Sequence, residues 1–260
     1  MKTNRLDLIK GLLWEQGVVY TSHLCKTLGV SSVTIRNDLQ DLERQGIAIR
    51  IHGGARAVQR LALDSEPQMA TTYPFIHVTN LAKKKRIAFE ASKIVRDDAW
   101  IYLSSGTTCY ELAKLLVDRR INVVTASLYT AQILANSAKT NVFVPGGSLK
   151  RREQGDISLA GEWYIHSISN INVDLCFLTI AGVDMTAGIT INDSSELLLV
   201  QKLRDIGKKL ILLVDSSKFD QRSFMSAANL DYADSVITNR DVSQKYVDYF
   251  DAHGIELITC

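Results

Sequence analysis

The chain has 260 residues, 46% hydrophobic and 22% charged, with 30 Lys and Arg against 28 Asp and Glu for a net charge of +2. That length exceeds what one small core needs and fits two domains of an ordinary globular protein. No run approaches the roughly 18–20 apolar residues of a membrane span, and the opening MKTNRLDLIK lacks the apolar core of a signal peptide. Cys25, Cys109, Cys176 and Cys260 form no CxxC pair, which excludes the usual metal or redox frameworks. A cytoplasmic chain with four free thiols, no metal and no cofactor is expected. The charge is uneven: residues 1–60 carry nine Lys and Arg against five acids, a balance of +4 that suits a phosphate-facing module.

Leu6, Ile9, Leu12 and Leu13 predict a first amphipathic helix ending near Gly17. Thr21 or Ser22 is a candidate cap for a second short helix, SHLCKTLG, with Leu24 and Leu28 inside and Gly29 as terminator. A tight turn then leads into SSVTIRNDLQDLERQG, residues 31–46, where Ile35, Leu39 and Leu42 make one narrow apolar stripe. Val33, Asn37, Gln40 and Arg44 project within roughly 40° of the opposite side, flanked by Arg36. Two short helices joined by a glycine-containing turn form a helix-turn-helix, whose second helix enters the DNA major groove. Next, IAIRIHGGARAV alternates Ile47, Ile49 and Ile51 with Arg50, breaks at Gly53-Gly54 and resumes, which predicts a β-hairpin wing. Asn and Gln can pair with adenine edges and Arg with guanine edges. Ser31, Ser32, Thr34 and the helix N-terminus can meet phosphates. A solvated face in a winged-helix module that binds protein is the alternative.

The run SSVTIRNDLQDLERQGIAIRIHGGA resembles the signature of the DeoR family of bacterial transcriptional regulators, a V-S-x-x-T-I-R-R-D-L-x-x-L helix followed by a wing ending in H-G-G-A. His52, Gly53, Gly54 and Ala55 match that ending, while Asn37 stands where the family usually has a second arginine. The candidate DNA-contacting set is Ser31, Ser32, Val33, Thr34, Arg36, Asn37, Gln40, Arg44, Arg50 and His52.

Residues 58–80 show neither period and hold Pro67 and Pro74, so a linker is expected there, between a DNA-binding domain over 1–57 and a larger domain over 81–260. The S-F-x-x-R stretch that the family often carries in this region is missing. Lys83-Lys84-Lys85-Arg86 reads as the solvated start of a helix rather than a nucleic-acid patch. Beyond it, apolar runs at 99–103, 123–125, 142–144, 175–180, 210–214, 235–238 and 256–259 alternate with helical segments, which predicts a mostly parallel sheet with helices on both faces. Ligands in such folds bind at the carboxyl ends of the strands.

Three loops follow such ends: Ser104-Ser105-Gly106-Thr107-Thr108, Thr125-Ala126-Ser127 and Pro145-Gly146-Gly147. The first offers a helix N-terminus and hydroxyls to an anion, or is simply an N-capped helix. It is neither GxxxxGK[ST] nor GxGxxG, so nucleotide binding is not supported. Paired glycines in the third allow close backbone approach to a ligand. Cys109 is read as buried filler, His23, His77, His166 and His253 have no partner at metal spacing, and Asp215 either orients a ligand or caps a turn.

The ordered runs SSGTT, TAS, PGG, DLCFLTIAGVD and SSKF are similar to the same family's C-terminal domain, with Ser104 in place of the usual aspartate and Ala126 in place of the usual asparagine. The resemblance implies a Rossmann-like α/β sensor domain related in fold to ribose-5-phosphate isomerase. By position it implies that Ser105, Gly106, Thr107 and Thr108 cradle a phosphate and that Gly147, Asp174, Asp184, Glu196 and Lys218 line the rest, to which the loop readings add Ser104, Ser127 and Gly146. A homo-oligomeric repressor, dimer or tetramer, released from operator DNA by a phosphorylated sugar is the implied function. The alternative, a sugar-phosphate isomerase with an appended DNA module, needs a carboxylate base and electrophilic help. The lysine and glycine run that the related isomerases carry is replaced here by TAGITINDSS, which favours binding without catalysis.

Overall fold

A computed structural model describes residues 2–16, 18–51, 53–57, 78–151 and 155–260. The expected linker and His52 lie outside the described residues, except for positions 78–80. The chain divides into two compact units, Met1–Thr71 and Thr72–Cys260. Among the described residues no helix is long and apolar enough to cross a membrane.

The N-terminal unit contains α1 (Lys2–Gln16), β1 (Val18–Tyr20), α2 (Thr21–Leu28), α3 (Ser32–Arg44), β2 (Ala48–Ile51) and β3 (Gly54–Ala57). Ile9, Leu13, Leu24, Ile35, Leu39 and Leu42 close over one small core at the helical spacings anticipated from sequence. Gly29 ends α2 in the left-handed conformation, with its N–H donating to the Cys25 carbonyl. Neither Thr21 nor Ser22 caps α2. Tyr20, the last residue of β1, occupies the cap position in an extended conformation with no side-chain bond, because the strand runs straight into the helix. The wing is a three-stranded antiparallel sheet in the order β1-β3-β2. On the inner side of α3, Asp38 is only 1% exposed and accepts from Arg5 Nε at 2.6 Å and Nη2 at 3.1 Å, which ties α1 to α3.

The second unit opens with α4 (Leu81–Ile94) and is built on a seven-stranded parallel sheet. Its strands are β4 (Trp100–Leu103), β5 (Asn122–Thr125), β6 (Asn141–Phe143), β9 (Val173–Leu178), β12 (Gly207–Leu213), β14 (Ser235–Thr238) and β15 (Glu256–Thr259), the seven apolar runs of the sequence. Between β6 and β9 lie a hairpin of β7 (Ser148–Arg151) and β8 (Ile157–Ala160) and the helix α7 (Glu162–Ile168). Side chains alternate across the sheet: Ile101, Leu103, Val123, Phe177, Ile211, Leu213 and Ile237 face α4 and α5 (Thr107–Leu116), with Leu134 of α6 (Leu128–Leu134). Tyr102, Val124, Cys176, Leu178, Leu210, Leu212 and Val236 face α7, α8 (Leu197–Ile206) and α9 (Gln244–Ala252). A second antiparallel sheet of β10 (Gly182–Asp184), β11 (Gly188–Ile191) and β13 (Met225–Ala228) packs onto this latter face.

The sheet order is β15-β14-β12-β9-β4-β5-β6. The chain therefore starts at β4 in the middle, moves outward through β5 and β6, and returns to the other side of β4 at β9. That reversal makes the β4–β9 boundary the topological switch point, where the loops leave in opposite directions and a crevice opens at the carboxyl ends.

The adjacent wing glycines provide a stability test. A Cβ on Gly54 would lie 2.1 Å from the Val19 carbonyl oxygen, whereas Gly53, at φ +77°, has open space around it. Gly54→Ala is expected to destabilise the unit by about 1–3 kcal/mol and to speed hydrogen exchange of the Val18–Tyr20 amides about 5- to 100-fold. Gly53→Asn, which tolerates the left-handed region, should leave that exchange nearly unchanged; equal effects would mean that backbone approach at Gly54 does not limit β1–β3 pairing.

Candidate functional site

In the N-terminal unit the outer face of α3 is open. Ser31 caps the helix, its Oγ accepting from the Thr34 N–H at 3.2 Å and lying 2.9 Å from Thr34 Oγ1. These two hydroxyls are thus engaged with each other. Ser32 is exposed, Val33 is 62% exposed, and Arg36, Asn37 and Gln40 are exposed with no side-chain partner among the described residues. Arg44 lies 3.8 Å from Asp41 near the end of the helix. Arg50 is exposed on β2, where its backbone N–H donates to Glu43 at 3.2 Å.

In the second unit a cavity of about 270 Å³ occupies the switch point. That volume is near the lower end for small-molecule sites. The loop after β4, Ser104–Thr108, forms one wall, and the end of β9 with Thr179 forms another. The loop is pinned by Ser104, whose N–H donates to the Phe177 carbonyl at 3.0 Å and whose Oγ accepts from the Thr179 N–H at 2.9 Å. Thr179 Oγ1 donates to the Ser105 carbonyl at 2.6 Å. Gly106 is required there: its φ is +122°, and a Cβ would meet Thr179 Oγ1 at 2.7 Å. Gly106 is also the N-cap of α5, with no side chain capping the helix, so the first amides of α5 have no intrahelical acceptor where they border the cavity. An anion is the natural occupant of such a position. Behind the loop Cys109 is buried, 3.6 Å from Ser104 Oγ, and burial pushes its thiol up to about 12, so it stays neutral.

Lys84 corrects the reading of the basic run as solvated. It is 4% exposed, lines the cavity, and sits 4.0 Å from Asp215 Oδ2. Burial lowers its pKa, against the opposing pull of Asp215. Asp215 is itself 2% exposed and caps the short turn Ser216–Lys218, accepting from Ser217 N–H at 3.2 Å, from Ser217 Oγ at 2.5 Å and from Asn80 at 3.3 Å. Of the two roles that the sequence left open, the turn cap is the one observed, and the residue also lines the cavity. Lys218, Glu196, Lys150, Arg151, Asp156 and Asp193 complete the polar lining. The Lys150 ammonium pairs with Asp193 and donates to Ser195 Oγ at 3.1 Å, and that pairing holds Asp193 down to about 2, so it is ionised at neutral pH. Among the described residues no group of three or more His, Cys, Asp and Glu is placed to hold a metal.

Five residues expected at this site lie elsewhere. Asp174 is at the amino end of β9, where it accepts from the Trp100 N–H at 3.0 Å and from Lys208 at 2.7 Å; the strand itself separates it from the cavity. Asp184 closes the β10–β11 turn, accepting from the N–H groups of Thr186 and Ala187 at 2.8 Å each and pairing with Arg222 at 2.9 Å, which holds it at about 2. Gly147 is small because a Cβ would meet Tyr164 Cβ at 2.9 Å and the Ala160 carbonyl at 3.0 Å, which is a packing role; Gly146 is exposed and outside the cavity lining. Ser127 caps α6 and donates to Asp156 at 3.1 Å, one residue removed from the cavity. Lys84 was detectable in the sequence, since it falls at i of an i, i+3, i+4, i+7 series with Ile87, Ala88 and Ala91 on the buried stripe of α4. Lys150 and Asp193 carried no local signal.

Residues 5–60 match the DeoR-like helix-turn-helix domain and residues 79–240 match the DeoR C terminal sensor domain. The chain is 30% identical over 254 residues to the HTH-type transcriptional repressor GlcR of Bacillus subtilis, covering 98% of this chain and 95% of that protein. It is 31% identical over 252 residues to the HTH-type transcriptional regulator GolR of Listeria innocua, covering 96% of each. Against the glycerol-3-phosphate regulon repressor of Escherichia coli K12 it is 28% identical over 260 residues, covering 100% of this chain and 99% of that protein. Among solved structures, ribose 5-phosphate isomerase A of Methanocaldococcus jannaschii is similar over 54% of this chain and 55% of its own, at 16% identity and a TM-score of 0.39. The two domain matches and the full-length relatives identify the chain as a member of the DeoR family, a DNA-binding transcriptional regulator with a small-molecule sensor domain rather than an enzyme.

Proposed function

We propose that this regulator represses a carbohydrate-utilisation operon and leaves its operator when a phosphorylated sugar occupies the cavity at the β4–β9 switch point. The observation that carries the reading is the juxtaposition of an uncapped helix N-terminus, a hydroxyl-rich loop and the buried Lys84 around one small cavity. Phosphate is a small dianion with several acceptor oxygens, and amides, hydroxyls and an ammonium supply donors to it. Asp193 and Glu196, across the cavity lining, are acceptors for sugar hydroxyls. The name of one relative, a glycerol-3-phosphate regulon repressor, agrees with a small phosphorylated effector. The exposed face of α3 is the major-groove reader, with Ser31, Ser32, Arg44 and Arg50 towards the phosphates. A homo-oligomer supplies two such readers for symmetric half-sites. Four unpaired cysteines suit the reducing cytoplasm. An effector changes DNA affinity only by binding two states of the protein unequally.

Thermal-shift screening with a panel of sugar phosphates, followed by operator release, identifies the effector. Lys84→Met and Gly106→Glu should then bind operator normally but lose response, with sugar-phosphate affinity about 10- to 100-fold weaker for Lys84→Met, the range for a charged hydrogen bond. A wild-type response in both variants would move the phosphate out of this cavity.

The pH profile is a separate check. Affinity for the effector should rise through pH ~6 as the phosphate becomes dianionic. It should fall again below the ordinary lysine value of 10.5, because burial makes Lys84 release its proton early. Calorimetric titration across pH 5–10.5 that shows no alkaline fall in wild type would remove Lys84 from the ligand.

For the DNA face, Arg36→Ala and Gln40→Ala should each cost about 1–3 kcal/mol on the operator and less on random duplex. Equal losses on both DNAs, in a fluorescence-anisotropy titration at fixed salt, would reassign these side chains to phosphate contacts.

A further inference from the structure

The surface of α3 is more selective than a general donor face. The Ser31 and Thr34 hydroxyls bond to each other, and Arg44 stands at the far end of the helix beside Asp41, so neither group reads bases at its centre. Val33 is different. Its isopropyl group is 62% exposed at the second position of the helix, a place where a β-branched residue contributes nothing to helix stability. Asn37 follows one turn later, only about 40° round the helix from Val33 and about 6 Å along it. An apolar group and an amide thus lie in line on a fully open face.

In the major groove only an A·T pair offers what both side chains need. Thymine carries the one apolar group there, its 5-methyl, and adenine presents the N7 acceptor and N6 donor that match a carboxamide. A G·C pair offers Val33 no methyl to touch and leaves its face against polar edges. With a base-pair rise of 3.4 Å, a 6 Å separation corresponds to about two steps. We propose that Val33 and Asn37 read a thymine methyl and an adenine edge about two base pairs apart in each operator half-site. This rests on α3 being the groove reader, and it adds the class of sequence that α3 selects.

The test uses the intact chain. Binding sites are enriched from a pool of random duplexes, and in the enriched duplex single thymines are replaced by uracil, which deletes only the 5-methyl. One such replacement in a single half-site should weaken wild-type binding about fourfold, the cost of one methyl group. Val33→Ala should show no difference between the thymine and uracil duplexes at that pair. Enrichment repeated with Asn37→Arg should replace adenine by guanine about two pairs away, since a guanidinium pairs with guanine O6 and N7. Both positions are exposed, and unchanged thermal unfolding of the variants excludes misfolding. If Val33→Ala is as sensitive to the missing methyl as wild type, or Asn37→Arg enriches the same bases, the assignment is overturned while α3 keeps its place in the groove. Failure of wild type to enrich any sequence would overturn both this assignment and the operator reading on which it rests.

Discussion

A parallel sheet that begins in its middle must reverse its winding, and in this protein the reversal falls between β4 and β9. The loops leaving those two neighbouring strands go to opposite faces, which leaves their carboxyl ends without a covering connection. Hydrogen bonds from Thr179 to Ser104 and Ser105 keep the two ends in register while the backbone diverges. The helix after β4 then starts at the rim, with its first amides free of a capping side chain. The cavity is thus a consequence of strand order, and helix polarity directs the positive end of the α5 dipole towards it.

Placing a lysine in that cavity has an electrostatic cost that the neighbouring groups offset. Lys84 projects from the buried side of α4 and meets the Asp215 carboxylate at the end of β12, both almost wholly removed from water. At 4.0 Å the pair is at the edge of contact, so the ammonium retains capacity for another anion. Asp215 is held by Ser217 and Asn80, which fixes the counter-charge in place. A bound anion would therefore meet an ammonium whose counter-charge is already fixed, in low dielectric, where charge-assisted bonds are strong. The second cation, Lys150, is engaged with Asp193 and Ser195 and joins the β7–β8 hairpin to the segment that carries Glu196.

The N-terminal unit meets the opposite requirement. Its core is small, and a charged pair, Arg5 with Asp38, joins α1 to α3 where a larger protein would place more apolar surface. Asp38 is the inward exception on a helix whose outward side carries Arg36, Asn37 and Gln40. Because the inner contacts fix the rotation of α3, the same side chains stay on its outer face.

Local sequence alone determined the periodic features of this protein. Ile35, Leu39 and Leu42 fixed the buried side of α3 and hence its open side, and the seven apolar runs fixed the strands of the parallel sheet, because burial on a 3.6- or 2-residue period is written into neighbouring positions. The loop at 104–108 was legible for the same reason, as a strand end followed at once by a helix start. Strands β10 and β11 were not legible: Gly188–Ile191 is buried throughout and so short that it shows no alternation. Only the tertiary structure decided which loops share a site. It placed Asp174 at the far end of its strand, committed Asp184 to the β10–β11 turn and Gly147 to packing, left Gly146 outside the cavity, and brought Lys84, Lys150, Asp193 and Asp215 together from four separate segments. The physical reason is that a cavity is defined by strand order, and strand order is set by the whole core at once, so no single stretch of the chain encodes it.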